Sequence, residues 1–596
     1  MQSVPAMQLY ATPQQTPVQP RPVPLQSTAQ KAPVPAKATA PVPSLNGYAT
    51  PEELIDNDGR FGSTYIPVDS WVYPAMLRLY GLGYVDTTFI SMRPWTRRSL
   101  LHALLDSEDD IQDSDDEQAQ EIFTAIREYL RAEVSPNGER QTVYGVETGY
   151  TRLMGIGGTT LRDSYHLGQS LVNDYGRPYE PGFNSLVGFS TLNEAGRFSL
   201  YVRGEWQHAP SATGYSLPLA QTLSLLDFLV YAPPNAPQAT IPAGSIATQN
   251  PFRLVEANLS YHILGHELSF GKSDAWQGPG QGGAMAWSNN AENIYSFRVN
   301  RVEPLDVPLL SRLMGPLRYD LFVGSLKGHT APNDPWVHSE MFAFRPTSNF
   351  EFGFQRTVIW GGKGHEPITL HTFLKSFFSF SDTNPAEKYS TGDPGARFST
   401  FNFSWRLPFL RDTVTLYTDS IAHDDVSPVS APRRAAYRPG IYISHLPYAP
   451  RIDLRVEAAS TDTSTLSSQN GTFNYFEVVQ LQGYTNKGFI MGDWIGREAK
   501  GGQAWLTWHF SGNEWVQLEY LNKKTPKDFI PQGTTQNAFT LDMVKRLRPE
   551  LELNAWVQFE RWKAPIYKTG QQSDTTVAGQ LTWYPKLRTA KSLNGK

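Results

Sequence analysis

Apolar and polar residues alternate along many short segments of this chain, from about residue 140 to its end. Between residues 551 and 560, every odd-numbered position is apolar, whereas four of the five even-numbered positions hold Glu, Asn or Gln. Residues 198–207 and 451–457 show a similar period of two. Successive side chains of a β-strand point to opposite faces, so the pattern predicts half-buried antiparallel strands. Most of the 596 residues are therefore expected to be β.

The connections between these predicted strands alternate in length. Short turns occur near residues 511–513 and 548–549, and long polar segments such as 209–250 and 361–396 separate other strands. This arrangement is typical of outer-membrane β-barrels, whereas a soluble β-sandwich does not require it. No run of roughly 18 apolar residues is present, which excludes a helical membrane protein. The pattern predicts a large antiparallel transmembrane β-barrel of roughly 16–20 strands.

The composition supports an outer-membrane β-barrel and argues against several other classes of protein. Aromatic residues make up 12% of the chain, and several lie near predicted strand ends, where Trp and Tyr mark membrane interfaces. The formal net charge of −5 argues against a nucleic-acid partner, which would require a basic face. The absence of Cys excludes disulfides, thiolate nucleophiles and Cys-ligated metals.

The sequence divides into four parts. Residues 1–59 form a Pro-rich segment, predicted to be flexible, and residues 60–135 form a small helical domain. Residues 136–586 form the barrel with its long loops, and residues 587–596 form a polar tail. An even number of strands would place both ends of the barrel, and the helical domain, in the periplasm. No basic segment followed by an apolar run is visible, so a signal peptide is not recognised.

Helical spacing of apolar residues occurs between residues 69 and 134. Helices are predicted after Asp69 or Ser70, after Pro94, and from about Asp116 to Arg131. Nine carboxylates lie within residues 106–121. They could form a calcium site, but a solvated loop and helix start is favoured, because acidic residues stabilise helix N-termini.

Two pairs of segments carry a resemblance to a known family. The first pair is residues 65–83, which begin Tyr-Ile-Pro-Val-Asp-Ser-Trp, and residues 93–98, Arg-Pro-Trp-Thr-Arg-Arg. The second is residues 271–280, Gly-Lys-Ser-Asp-Ala-Trp-Gln-Gly-Pro-Gly, and residues 286–291, Ala-Trp-Ser-Asn-Asn-Ala. Together with the helical start and long β region, these segments resemble the Wzi-type capsule assembly family over about residues 60–590.

The resemblance implies an 18-stranded outer-membrane barrel with a periplasmic helical bundle and extracellular loops. It also implies a non-enzymatic surface lectin that holds or organises capsular polysaccharide, with outer-membrane lipid and the polysaccharide as partners. Known members supply no catalytic residues. Residues 65–98 also resemble an S-layer-homology module, which suggests peptidoglycan contact through residues 60–135. Packing of Trp71, Tyr73 and Trp95 in a small helical core is the favoured alternative.

Sugar recognition requires aromatic faces for pyranose rings, planar polar groups for hydroxyls, and bases for acidic sugars. The predicted long loops contain such residues, which are the candidate polysaccharide-binding residues: Tyr165, Tyr179, Asp274, Trp276, Trp287, Asn289, Asn290, Trp360, Lys363, His365, Arg433, Arg434 and Trp494. For each residue taken singly, loop packing or simple solvation is the more frequent role.

Motifs of enzymes and metal sites are weak or missing. No His-Glu-x-x-His, Gly-x-Ser-x-Gly or P-loop occurs, and residues 278–283 are better explained as a tight glycine-rich loop. His262 and His266 flank a turn but lack an evident third ligand. We therefore expect no catalytic residue, metal or cofactor.

Two other functions remain open from the sequence. The predicted lumen contains charges of both signs, including Arg203, Glu205, Arg455 and Glu457, which could pair and fill it or line a pore. A substrate-specific porin is thus the first alternative. A secreted β-rich carbohydrate-active enzyme is the second.

Overall fold

The computed structural model describes most of the chain, namely residues 61–133, 141–229, 241–381, 383–423, 434–462 and 469–591. The predicted Pro-rich segment 1–59 and Arg433 lie outside these residues, as do residues 60, 134 and 135 of the predicted helical domain. Within them the chain forms a closed antiparallel β-barrel with an N-terminal helical region, so the predicted fold class is confirmed.

Eighteen strands build the barrel wall. They are β1 Gln141–Gly158, β2 Gly182–Ala195, β3 Phe198–His208, β4 Phe252–Ile263, β5 His266–Lys272, β6 Tyr295–Arg301, β7 Leu317–Ser325, β8 Trp336–Thr347, β9 Phe350–Trp360, β10 Ala396–Arg406, β11 Val414–His423, β12 Ala436–Ile443, β13 Ile452–Ser460, β14 Lys500–Ser511, β15 Glu514–Thr525, β16 Thr534–Arg548, β17 Leu551–Ala564 and β18 Lys568–Trp583. Each strand pairs with the next, and β1 pairs with β18 to close the barrel.

The apolar faces of the strands point outward. On β17, Val557 and Phe559 are 46% and 40% exposed, whereas Glu552 and Glu560 point inward and are buried. Outward apolar side chains are stable only where the surrounding medium is itself apolar. The register therefore fits a membrane barrel and not a sandwich, in which the same side chains would form the core.

The two ends of the barrel differ in their connections. The short-turn end carries tight turns such as 196–197, 348–349 and 512–513, and the long-loop end carries connections such as 273–294 and 461–499. Because the strand number is even, the first and last barrel strands begin and end at the short-turn end.

Four helices precede the barrel: α1 Val72–Gly81, α2 Arg97–Leu105, α3 Glu108–Gln112 and α4 Glu117–Tyr129. The Thr96 side chain accepts a hydrogen bond from the Ser99 backbone and begins α2, and Asp116 caps α4 in the same way through Ala119. Part of the acidic run thus forms helix starts. No group of three or more His, Asp or Glu residues that could hold a metal ion occurs in the described part of the chain.

This helical region closes the lumen at the short-turn end. The Ile90 and Ser91 amides donate to Glu351 of β9 at 2.9 and 3.1 Å. The Thr64 amide donates to Glu194 of β2 at 2.6 Å, on another part of the wall. The inward carboxylates of the wall therefore pair with the backbone of the helical region.

Four further helices lie in connections: α5 Leu217–Leu226, α6 Leu310–Met314, α7 Leu370–Phe377 and α8 Pro385–Lys388. Helix α7 packs on the outside of the barrel, where Phe373 contacts the rings of His338 and Trp360, both of which point outward from the wall. Its other side exposes Leu370 and Leu374.

Part of the predicted polar tail forms secondary structure. Arg588–Lys591 forms a short strand that pairs with Gln141–Tyr144 at the start of β1. Strand β1 is 18 residues long and extends past the end of β18, so its free edge there pairs with the chain after Trp583. No helix in the described ranges is long and apolar enough to cross a membrane.

Candidate functional site

Most of the predicted polysaccharide-binding residues are buried. The buried members are Tyr165, Tyr179, Asp274, Trp276, Trp287, Asn289, Asn290, Trp360 and Trp494. None of these side chains offers an open face for a sugar ring, which favours the alternative role of packing. Their contact with polysaccharide stays a prediction.

Connection 273–294 explains much of this burial, because it descends into the lumen. Residues Trp276–Gln277 pair with Met92–Arg93 of the helical region as a two-stranded sheet. The Gly278 amide donates to Ser91 O at 2.8 Å. A loop from one end of the barrel and the helical region from the other therefore meet inside the lumen.

Trp494 holds this loop from a second connection. Its Nε1 donates to Gly282 O at 2.8 Å and to Gln503 Oε1 of β14 at 3.0 Å. A Cβ on Gly282 would clash with Gln503 Oε1 and with the Trp505 ring. The close approach requires Gly at this position. The glycine-rich segment thus serves packing inside the lumen.

A buried charge network beneath Trp494 fixes connections to the wall. Arg438 Nη2 lies 2.9 Å from Asp493 Oδ1, and Arg438 Nη1 lies 2.7 Å from Glu457 Oε2. Glu457 also accepts from the Gln281 amide at 2.8 Å. All three ionic side chains are inaccessible to solvent. The inward charges therefore fill the lumen through loop contacts and do not line an open pore at this level.

Asp274 and Asn290 likewise have internal partners. Asp274 Oδ2 accepts from the Val68 amide at 2.8 Å and from Tyr175 OH at 2.9 Å. Asn290 Nδ2 donates to Ile490 O at 3.0 Å. These polar groups are satisfied by the protein, which leaves little capacity for sugar hydroxyls.

Tyr165, Tyr179 and Trp360 have separate environments. Tyr165 lies beneath the Arg497 guanidinium, with the ring centroid 4.2 Å away. Tyr179 lines a small cavity together with Arg162 and Gln169. Trp360 lies on the outer wall under α7. The structure therefore does not gather the predicted aromatic residues into one exposed site.

The remaining predicted residues are basic. Arg434 is exposed, and its guanidinium lies 5.0 Å from the centroid of the Phe473 ring. His365 Nε2 lies 3.0 Å from Asp393 Oδ2 and is largely covered. The Lys363 side chain is 76% exposed. Among the three, Lys363 belongs to a larger charged surface.

That surface, here termed the cationic strip, is formed by the charged residues Lys363, Asp334, Lys327, Lys487, Glu292, Lys272 and Arg253. Asp334 lies between Lys363 Nζ at 2.7 Å and Lys327 Nζ at 3.5 Å. The Lys487 amide donates to Lys327 O at 2.7 Å, which joins two connections. Four connections at the long-loop end, with the ends of two strands, therefore contribute to one surface.

Glu292 organises the other half of the strip. Its carboxylate lies 2.6 Å from Lys272 Nζ, 2.8 Å from Lys487 Nζ and 3.1 Å from Arg253 Nη2. Burial opposes ionisation of Glu292, but Lys272 and Arg253 outweigh it and lower its pKa to about 2. A hydrogen bond from Lys363 lowers the pKa of Asp334. Five basic groups share these two carboxylates, so the strip keeps an excess of positive charge.

The sequence predicts Lys363 as a binding residue, but not Lys327 or Lys487. Both are lysines in long polar connections, which was the available signal. Their proximity depends on how connections 326–335 and 461–499 fold together, and no periodicity in the sequence encodes that contact.

The sequence matches the family described as capsule assembly protein Wzi over residues 152–577. The chain belongs to this family. Its solved structural neighbours include Wzi of Escherichia coli, described as an outer-membrane protein involved in group 1 capsule assembly and as a carbohydrate-binding β-barrel. That structure is 17% identical with a TM-score of 0.62, and the match covers 88% of this chain and 100% of that one.

Other neighbours of this Wzi-family protein are more distant. Pseudomonas aeruginosa OprD is 8% identical, with coverage of 74% and 94% and a TM-score of 0.37. Acinetobacter baumannii OccAB2 is 9% identical, with coverage of 75% and 98% and a TM-score of 0.39. A comparison with curated protein sequences finds no significant match. The family membership and the closed barrel of 18 strands show that this chain is an outer-membrane β-barrel.

Proposed function

We propose that this Wzi-family protein binds acidic capsular polysaccharide at the cell surface through the cationic strip. The exposed lysines of the strip are the observation that carries the proposal: the Lys327, Lys363 and Lys487 side chains are 51%, 76% and 53% exposed. Family membership and the description of Escherichia coli Wzi as a carbohydrate-binding barrel support the same ligand class.

The arrangement of charges suits a polymer better than a small sugar. The lysines are spread over several connections and form an open surface, whereas small ligands are usually enclosed in a pocket. A polysaccharide with an acidic group in each repeat can engage several lysines at once, which raises the overall affinity. Such contacts are exposed, so added salt should weaken them.

In this proposal the long-loop end faces the exterior and the helical region faces the periplasm. The positions of the connections support this orientation, because outer-membrane barrels have short periplasmic turns and long extracellular loops. Peptidoglycan contact through residues 60–135 stays a prediction. Tyr73 and Trp95 are buried with ring centroids 4.8 Å apart, and Trp71 is half-buried, which favours packing within the helical core.

The test compares the wild type with K327Q/K363Q/K487Q. Purified acidic capsular polysaccharide and neutral dextran are the probes, and binding is measured by biolayer interferometry at low and high salt. We expect the variant to bind the acidic polymer at least about tenfold more weakly, since each exposed charge contact contributes up to about 1 kcal/mol. Dextran should not distinguish the two proteins.

The matched control is K545Q/R548Q/R588Q, which removes three exposed bases from the short-turn end. It should bind the acidic polymer like the wild type. Equal loss in both variants would indicate a nonspecific charge effect, and full binding by the strip variant would refute the proposed surface.

The proposal also holds that the polysaccharide is retained and not cleaved. Size-exclusion chromatography of the polymer after incubation should give an unchanged elution profile. A shift to smaller chains, abolished by boiling the protein, would instead support the carbohydrate-active enzyme.

A further inference from the structure

A row of basic residues lies on the outer wall of the barrel near the long-loop end. Lys500 of β14 is directly opposite Lys524 of β15, Lys524 is opposite Thr535 of β16, and Thr535 is opposite Lys563 of β17. Arg561 lies two residues before Lys563 on the same face. All four bases are exposed. This outer basic row shares no residue with the cationic strip and lies on other strands of the wall, β14–β17.

The row is poorly neutralised by the protein. Lys500 Nζ lies 2.8 Å from Asp462 Oδ2. Within the described ranges, Lys524, Arg561 and Lys563 have no carboxylate within 4 Å. Like charges directly opposite each other on paired strands are destabilising, as for Lys500 and Lys524. An anionic ligand at this position would remove that repulsion.

The position of the row relative to the membrane indicates which chemical groups it meets. Tyr520 of β15, Phe539 of β16 and Phe559 of β17 lie on the same outward face, four residues nearer the membrane than the row position on each strand. They are directly opposite one another. The next outward row is aliphatic: Leu506, Leu518, Leu541, Val557 and Val577. Aromatic side chains mark the membrane interface, and apolar side chains mark the hydrocarbon region.

The basic row therefore lies just above the interface. Four residues of strand span about 13 Å, less once strand tilt is included, and a Lys side chain can reach back by several ångströms. Headgroup regions begin where the aromatic belt ends. Lysine and arginine at this height face the phosphates of lipids, not the acyl chains.

Strands β2, β3, β4, β6 and β8–β10 lack such a row of unpaired bases. Near the long-loop end of β2, β3, β4 and β6, the outward residues are Phe183, Trp206, Phe252 and Tyr295, all more than half exposed. On the outer wall of β8–β10, the outward Arg356 and Arg397 are covered by the segment that contains α7. Compared with these strands, β15–β17 carry exposed bases without an ion-pair partner among the described residues. The Arg561 guanidinium contacts only a neighbouring ring, with the Phe559 centroid 5.4 Å away.

We propose that the outer basic row of β14–β17 binds the phosphate groups of a phosphorylated glycolipid of the outer leaflet. The lipid is a structural partner held against the wall, and its acyl chains would lie over the Tyr520, Phe539 and Phe559 rings. This site rests on the orientation given in the proposed function, with the long-loop end outward, but it does not depend on polysaccharide binding by the strip.

The test uses the full chain in detergent micelles and native mass spectrometry. The probes are a purified bisphosphorylated, acylated glucosamine-disaccharide lipid and the same lipid after phosphatase treatment. The wild type should bind the phosphorylated form at least about tenfold more tightly. In K524Q/R561Q/K563Q we expect phosphorylated-lipid affinity to fall on the order of 100-fold, because each base near an anionic lipid surface contributes about fivefold.

Two controls keep the result specific. The charge-conserving variant K524R/R561K/K563R should bind like the wild type, and so should K545Q/R548Q/R588Q, which removes exposed bases from the other end of the barrel. Retention of heat-modifiable migration shows that each variant is folded.

Equal binding of the two lipid forms by the wild type would overturn the proposal, as would undiminished lipid preference in K524Q/R561Q/K563Q. Loss of acidic polysaccharide binding in that variant, with lipid preference intact, would assign the row to the polymer instead. Failure of the strip variant to lose polysaccharide binding would leave the lipid result unaffected, so the two proposals fail separately.

Discussion

Arg203 and Asp69 form a bidentate ion pair between the barrel wall and the helical region. Arg203 Nη1 lies 2.7 Å from Asp69 Oδ1, and Nη2 lies 2.8 Å from Oδ2. Arg203 is on β3, whereas Asp69 lies just before α1. The guanidinium also donates through Nε to Tyr150 OH at 2.9 Å. This pair fixes the start of the helical region to one side of the lumen.

We predict that D69N loosens the helical region without unfolding the barrel. Removing one partner leaves the largely buried Arg203 guanidinium incompletely paired, at a cost of roughly 2–4 kcal/mol. Hydrogen exchange in residues 69–133 should become faster, while heat-modifiable migration stays unchanged. E128Q is the control, because the exposed Glu128–Arg131 pair contributes little. Unchanged exchange in D69N would show that other contacts carry the docking.

Because its lumen is filled, we predict that the barrel does not conduct ions. The wild-type protein in a planar bilayer should show no steady open channel, because connection 273–294 and the helical region occupy the lumen. W494A removes a buried ring and two hydrogen bonds to this packing, at a cost of about 3–5 kcal/mol. We expect intermittent openings in that variant.

W583F is the matched control for conductance, since Trp583 is exposed on the outer wall and does not touch the lumen loops. It should remain closed. A steady ohmic current through the wild type would contradict the filled lumen and would favour the porin alternative.

The sequence predicts the wall of this barrel well and its interior poorly. Alternation at residues such as Val557 and Glu560 depends only on which face of a strand meets lipid, so it can be read locally. The burial of Trp287 and Trp494 depends on connections that fold back into the lumen. In the sequence these residues are indistinguishable from exposed loop aromatics, because both occur in long polar segments without periodicity.

The candidate site shows the same limit. Lys363 was predicted from its residue type and loop position, but its grouping with Lys327 and Lys487 requires three connections to meet. The family resemblance implies the ligand class and the same fold that the alternation predicts. It cannot indicate this surface, because loop packing is a tertiary property.

A buried histidine, His166, should make the stability of the first long connection depend on pH. His166 Nδ1 lies 3.0 Å from Asp163 Oδ2, and Nε2 lies 2.9 Å from Asp227 Oδ2. Burial disfavours the charged ring, but Asp163 and Asp227 outweigh it and raise the pKa of His166 to about 9. The charged form is therefore stabilised in the folded connection.

Because this pKa is raised above 6.5, the stabilisation is fully present below pH 6.5 and is lost as the pH rises through about 9. We expect the opening free energy of residues 159–181 to fall by up to about 3 kcal/mol across that range. Hydrogen exchange, corrected for the intrinsic exchange rates at each pH, measures this opening free energy. H166Q should flatten the profile, and H208Q, at an exposed histidine bonded to Asn250, should preserve it. A pH-independent wild type would contradict the assignment.

The C-terminal end of α7 is held against the outer wall by Arg356. Arg356 points outward from β9, and its Nη1 and Nη2 donate to Phe377 O at 3.1 Å and Ser376 O at 3.2 Å. These carbonyls belong to the C-terminal end of α7, where unpaired acceptors and the helix dipole favour a cation. R356M keeps an unbranched side chain but removes these bonds, at a cost of roughly 1–3 kcal/mol.

The chain contains no Cys, so F378C creates a single labelling position beside α7. Phe378 is 62% exposed on the outside of the barrel, where lipid would surround it. An environment-sensitive dye at this position should emit at shorter wavelength in bilayers than in water, and R356M should reduce that shift by releasing the helix. K375M, which alters a base on α7 with only a 3.9 Å approach to Glu366, should keep the shift. Emission characteristic of water in the F378C protein itself would show that α7 lies above the membrane, so that its exposed Leu370 and Leu374 meet another partner.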